Sequence, residues 1–217
     1  MKKDMKLGKL WWWSLALFAG VALWLLLAGP ERLFGWDTGM IGMALIAGCA
    51  WALLHAVSRI PAHALTASAS PAEWNARVGA GVTLIAVLYF VSKLHVFNDA
   101  DVVRNPGANA VVRNMVLLLI AWSVLSNVLS SRLKDAVAAD ERDRQIAVRA
   151  AKWGRESLIV GVVAVAVMLG LTPVDRLGWA TPLMIGNLLV LVLMLGWLCE
   201  YAATLWCYAA DRRAAQS

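Results

Sequence analysis

Residues 183–208 read LMIGNLLVLVLMLGWLCEYAATLWCY, a run whose one formal charge is Glu200. Coiled at 1.5 Å per residue it is about 39 Å long, more than the roughly 30 Å of a bilayer's hydrocarbon core. A helix apolar on every side is surrounded either by a large protein core or by lipid. Upstream the pattern repeats, giving spans at about 11–28, 39–57, 79–97, 113–131 and 155–172 before the one at 183–208. The fourth and fifth have short strictly apolar cores, Met115 to Leu129 and Leu158 to Leu171, and borrow flanking residues such as Val111, Val112, Trp153 and Gly154. The expectation is an all-α polytopic membrane protein, a six-transmembrane-helix bundle filling a single integral membrane domain, 1–217, with no soluble domain.

Composition agrees. The 217 residues are 61% hydrophobic and 16% charged, against about half and a quarter in soluble domains. So much apolar surface is solvated by the lipid bilayer, which excludes a soluble enzyme, a secreted disulfide scaffold and a disordered regulator. The net charge of +6 then reports topology before anything else, and nucleic acid is not an expected partner. With the six spans threaded through a membrane, fifteen Lys and Arg fall on the side of the two tails and four on the other. That asymmetry predicts N-in/C-in, both termini cytoplasmic. The first span reads as a retained anchor, because Leu27-Ala28-Gly29-Pro30 is a poor cleavage site. Six Trp (Trp11, Trp12, Trp13, Trp74, Trp153 and Trp206) fall at the expected cytoplasmic border, and Trp36 and Trp179 at the outer one.

Helices in lipid associate through small residues and a few polar contacts. Ala44, Gly48, Ala52 and Ala56 recur every four residues on the second span, preceded by Gly39 and Gly42; Gly196, Ala203 and Cys207 form a looser seam on the sixth. These stripes predict a compact bundle and serve a homo-oligomer equally well. Cys49, Cys199 and Cys207 have no C-x-x-C spacing and read as free thiols, with no metal site. No Walker loop, H-E-x-x-H or G-x-S-x-G is present, so no catalytic residues, enzyme activity or cofactor are expected.

Ionisable groups at membrane depth are the default functional candidates. His55 and Glu200 lie at similar depth near the cytoplasmic ends of the second and sixth spans, both beside small residues. They are the candidate intramembrane polar pair, able to carry a proton or hold a cation; the alternative is that Glu200 reaches the cytoplasmic interface or a neighbouring hydroxyl. Lys93 and His95, near the outer end of the third span, are followed at once by Asp99 and Asp101, which predicts a local charge pair. Asn127 and Asn187 are expected to make interhelical hydrogen bonds.

The loop 132–156 is the most distinctive segment. Asp140, Glu141, Arg142, Asp143 and Arg144 mix signs, and Asp140 to Arg144 is a favourable i,i+4 pair on a helix. Ala147, Ala150, Ala151 and Trp153 continue an apolar stripe into the fifth span, predicting a helix that extends that span into the cytoplasm. The run from Asp140 to Ile146, followed by Arg149-Ala150 and a hydrophobic span, resembles a D-E-R-[DE]-x-x-I motif of small, uncharacterised bacterial inner-membrane proteins. There the motif lies in the cytoplasmic loop between two helical hairpins. The resemblance covers Asn114 to Tyr208 and implies a bacterial inner-membrane protein with no catalytic residues to carry over. The expected function is non-enzymatic: an accessory, regulatory or sensor subunit acting through protein contacts, with a membrane or cytoplasmic partner on loop 132–156. The alternative is a small proton- or cation-coupled transporter or permease component using His55 and Glu200.

Overall fold

A computed structural model describes residues 14, 17–29, 32–33, 35–58, 70–98, 106–133 and 141–214. The described residues are almost wholly helical. A short apolar helix α1 (Leu17–Ala28) leads into a two-stranded antiparallel hairpin, β1 (Arg32–Leu33) and β2 (Trp36–Asp37). Then come α2 (Thr38–Ser58), α3 (Pro71–Lys93) with a 3-10 turn at Leu94–Asn98, and α4 (Pro106–Leu133). The last hairpin is α5 (Glu141–Leu171), a 3-10 turn at Val174–Arg176, and α6 (Pro182–Ala214).

Four stretches are long and apolar enough to cross a membrane: Ala72–Phe97, Gly107–Val128, Glu141–Leu171 and Pro182–Ala214. They mark the chain as a helical membrane protein. Leu17–Ala28 and Thr38–Ala52 are apolar but shorter.

Local chemistry sets the helix starts. Asp37 Oδ1 accepts from the backbone N–H groups of Gly39 (2.8 Å) and Met40 (3.3 Å), capping α2. Ser70 caps α3, its hydroxyl accepting from the Glu73 N–H at 3.2 Å with Pro71 at the first helical position. Thr181 Oγ1 does the same for α6, accepting from the Met184 N–H at 3.1 Å ahead of Pro182. Glu141 and Asp143 stand in the first turn of α5, and Arg212 and Arg213 in the last turn of α6, each matched to the helix dipole.

The helices pack as a chain of neighbours. α1 lies against α2, α2 against α4, α4 against α3, α3 against α6, and α6 along the length of α5. One apolar cluster, including Leu26, Met43, Phe90, Val111 and Met194, joins α1, α2, α3, α4 and α6. α5 stands at the edge, burying only Ile146, Ala150 and Gly154 along one stripe. From Glu141 on, the charged segment and the fifth span are thus one 31-residue helix, the expected extension. Of the stripe Ala147, Ala150, Ala151 and Trp153, however, only Ala150 is buried, and Ile146 and Gly154 complete the buried face instead.

The small-residue seam of the second span is placed otherwise. Among the described residues nothing lies within 4 Å of a Cβ added at Gly48, and Ala44 is exposed. The close approach on α2 is at Gly42, where an added Cβ would lie 2.9 Å from the Ala22 carbonyl oxygen of α1. A four-residue repeat marks a face but does not say which neighbour, if any, meets it.

Candidate functional site

Two regions gather the polar side chains. The first is the end of the molecule where α3 and α5 begin and α6 stops. Glu73 Oε1 accepts from Arg77 Nη2 at 2.7 Å and from Arg212 Nη1 at 2.6 Å. The carboxylate is only 4% exposed, while the two arginine side chains keep 40% and 48% of their surface in contact with solvent. Beside it the Ser70 hydroxyl donates to the Tyr208 oxygen at 3.1 Å, and Tyr208 donates to Asp143 Oδ1 at 2.7 Å. Arg142 Nε donates to Asp211 Oδ2 at 3.0 Å. Three helix ends are therefore tied by charge-assisted bonds, the strong kind.

These contacts divide the charged motif. Arg142 and Asp143 bond to Asp211 and Tyr208 of α6, the Arg142–Asp211 pair at the exposed surface, and Glu141 accepts a long bond from Gln145 at 3.5 Å. Arg144 is exposed, and with Arg149, Lys152, Arg155 and the carboxylate of Glu141 it borders a shallow, mainly basic groove floored by Val148 and Ala151, Lys152 pairing with Glu156 at 3.7 Å. Val148 is 68% exposed in its midst. Asp140 lies outside the described residues. At the opposite end of the molecule Arg113 pairs with Asp37 at 3.5 Å, and buried Asn114 donates to the Tyr89 hydroxyl at 2.9 Å.

The second region is a cavity of about 480 Å³ between α3, α4 and α6. Ala86, Leu118 and Met194 are buried at its floor, and Leu119, Leu193 and Trp197 form an exposed rim. Trp122, Tyr201 and half-buried Glu200 close the end nearer the polar network. Trp122 and Tyr201 meet edge to face, 6.2 Å between centroids. The Tyr201 ring lies on Gly79, where an added Cβ would approach within 2.6 Å of it. Glu200 lies on Gly154 of α5, where an added Cβ would sit 2.9 Å from the Glu200 Cβ and 3.2 Å from the Gly196 carbonyl oxygen. Among the described residues no cation stands within ion-pair distance of Glu200.

The register of the α5–α6 hairpin fixes Glu200's height. Ser157 donates to Cys199 Sγ at 3.2 Å, Gly154 meets Glu200, and Asp143 meets Tyr208. Glu200 is thus level with Trp153 and with the charged stretch from Lys152 to Glu156. The part of α6 beyond Glu200 runs beside a charged helix, so its apolar character overstates how far the span extends.

His55 lies on α2, and its side chain lies outside the described residues. The extensive neighbours of the two helices differ: α2 leans on α4, and α6 on α5 and α3. Lys93 is half-buried and His95 exposed, while Asp99 and Asp101 lie outside the described residues. Asn187 donates to the Leu183 carbonyl of its own helix at 3.1 Å. Cys49, Cys199 and Cys207 are free thiols.

Read from sequence, Glu73, Arg212 and Tyr208 have no role in a site, Arg212 counting only toward topology and Tyr208 only as the end of a span. A local signal for Glu73 exists, since Ser70-Pro71-Ala72-Glu73 has the spacing of a capping box. In the fold the Glu73 side chain turns to the arginines instead. Comparison with known protein families, with curated proteins and with solved structures finds no match in any of the three.

Proposed function

We propose that this chain is a non-enzymatic multi-pass protein of the bacterial inner membrane, with six spans and both termini cytoplasmic, acting through protein contacts as an accessory, regulatory or sensor subunit. One observation carries the reading: α5 presents Arg144, Arg149, Lys152 and Arg155, all exposed, on a helix tied at its start to α6 by Arg142–Asp211 and Asp143–Tyr208. Of the four, Lys152 pairs along the helix with Glu156 at 3.7 Å, while Arg144, Arg149 and Arg155 make no ion pair among the described residues. A fixed basic face suits an acidic segment of a membrane or cytoplasmic partner, with Val148 as an apolar contact at its centre. Reversing the four charges to Glu should abolish salt-sensitive capture of that partner in mild detergent while leaving the elution volume unchanged. Capture that survives the reversal would remove the support.

The second reading, a small proton- or cation-coupled transporter or permease component, is favoured by Glu200 at the cavity wall. Ion flux into liposomes that disappears with Glu200→Gln would support it.

A further inference from the structure

The cavity between α3, α4 and α6 has an acidic, aromatic end and an apolar body, and from this we propose that it binds a lipophilic monocation, an amphiphile with one weakly hydrated positive head such as a quaternary ammonium or phosphonium. Its volume of about 480 Å³ is that of a site for a drug-sized molecule, roughly 300–1,000 Å³. The sign of the ligand follows from the lining. Among the described residues Glu200, at the edge of the wall toward Gly154 of α5, is the one formal charge, no Lys or Arg lines the cavity, and no cation neutralises it. Rings at the same end, from Trp122, Trp197 and Tyr201, offer π faces to a soft cation.

A small hydrated ion is a poorer fit. Metal ions of the alkali or alkaline-earth kind need several oxygen ligands, and the rest of the wall is almost wholly aliphatic and aromatic. The height of Glu200, level with Trp153 and the charged stretch of α5, places the ligand's head at the border of the apolar zone. Its body then runs along α6 toward Val190, ten residues or about 15 Å away. The exposed rim at Leu119 and Leu193 opens sideways, so entry is from the bilayer. Gly79 and Gly154 leave room for Tyr201 and Glu200 to sit where they do.

This inference gives the second reading above a ligand class, but it concerns binding and stands on the cavity alone. Tetraphenylphosphonium is the probe, added to the full-length protein in nanodiscs and followed by tryptophan fluorescence, with tetraphenylborate as the anion of matched shape. Saturable binding of the phosphonium is expected, weakened at least tenfold by Glu200→Gln, kept by Glu200→Asp, and not shared by the borate. Leu119→Trp, on the exposed rim, should also block it with the charge untouched, and it decides the matter if Glu200→Gln does not yield monodisperse protein. Equal binding of the borate, or full binding by both Glu200→Gln and Leu119→Trp, overturns the proposal. So does a homodimer seated in the cavity that leaves the phosphonium unbound. Binding without flux in liposomes leaves the inference standing and removes the transporter reading.

Discussion

Glu73 holds two guanidinium groups on a single oxygen, from Arg77 one turn along α3 and from Arg212 near the end of α6. A buried carboxylate survives only when paired and hydrogen-bonded, and here the arginines supply both. Removing one partner of a fully buried pair costs about 3–5 kcal/mol. The arginines here are about half exposed and can turn to water, so Glu73→Ala should cost less, about 1–3 kcal/mol. Tyr208→Phe removes the donor to Asp143 and the acceptor for Ser70 and should cost about 1–2 kcal/mol. Thermal unfolding in mild detergent measures both. Arg149→Ala, on the exposed face, is the reference and should stay within about 0.5 kcal/mol of the parent.

Between helices the deciding quantity is the room at each contact. Gly154 allows α5 to meet α6 with the Gly196 carbonyl oxygen only 3.2 Å from an added Cβ. Gly154→Leu should therefore push the hairpin apart and lower stability by about 1–3 kcal/mol, the ordinary cost of overpacking. Gly48, on the more regular stripe of α2, has open space around it. Gly48→Leu should leave the melting temperature of a monomer unchanged, and would lower the apparent mass in detergent only if a second copy packs on that face. Light scattering with both variants separates these outcomes. The contrast shows what was legible from sequence. Apolar run length is a local property, so the long helices and the extension of α5 could be read directly, but the face that α5 buries, Ile146, Ala150 and Gly154, was not the stripe read from Ala147 to Trp153. Which stripe finds a neighbour depends on tertiary packing, and nothing within α2 distinguishes Gly42 from Gly48.

At the scale of the whole molecule the proposed six-span, both-ends-in arrangement makes a direct prediction. Reporter fusions in 134–140 and after Ala214 should report the cytoplasm, and fusions in 99–105 should report the outside; an outer location for 134–140 would sink the arrangement. Depth and basic asymmetry were readable from the chain, and Glu200 was singled out on that basis. The rest of its surroundings was not readable, because Trp122, Thr83 and Tyr201 come to the same cavity from three helices. The same distance in sequence sets a problem of timing for Glu73. Arg212 is made 139 residues later, on the order of ten seconds at ribosomal rates of about 5–20 residues per second. Arg77 follows after four residues, so the carboxylate enters the membrane border already accompanied. The local arginine can therefore pair with the carboxylate before the distant one exists, and Arg212 adds the second bond only once α6 is made.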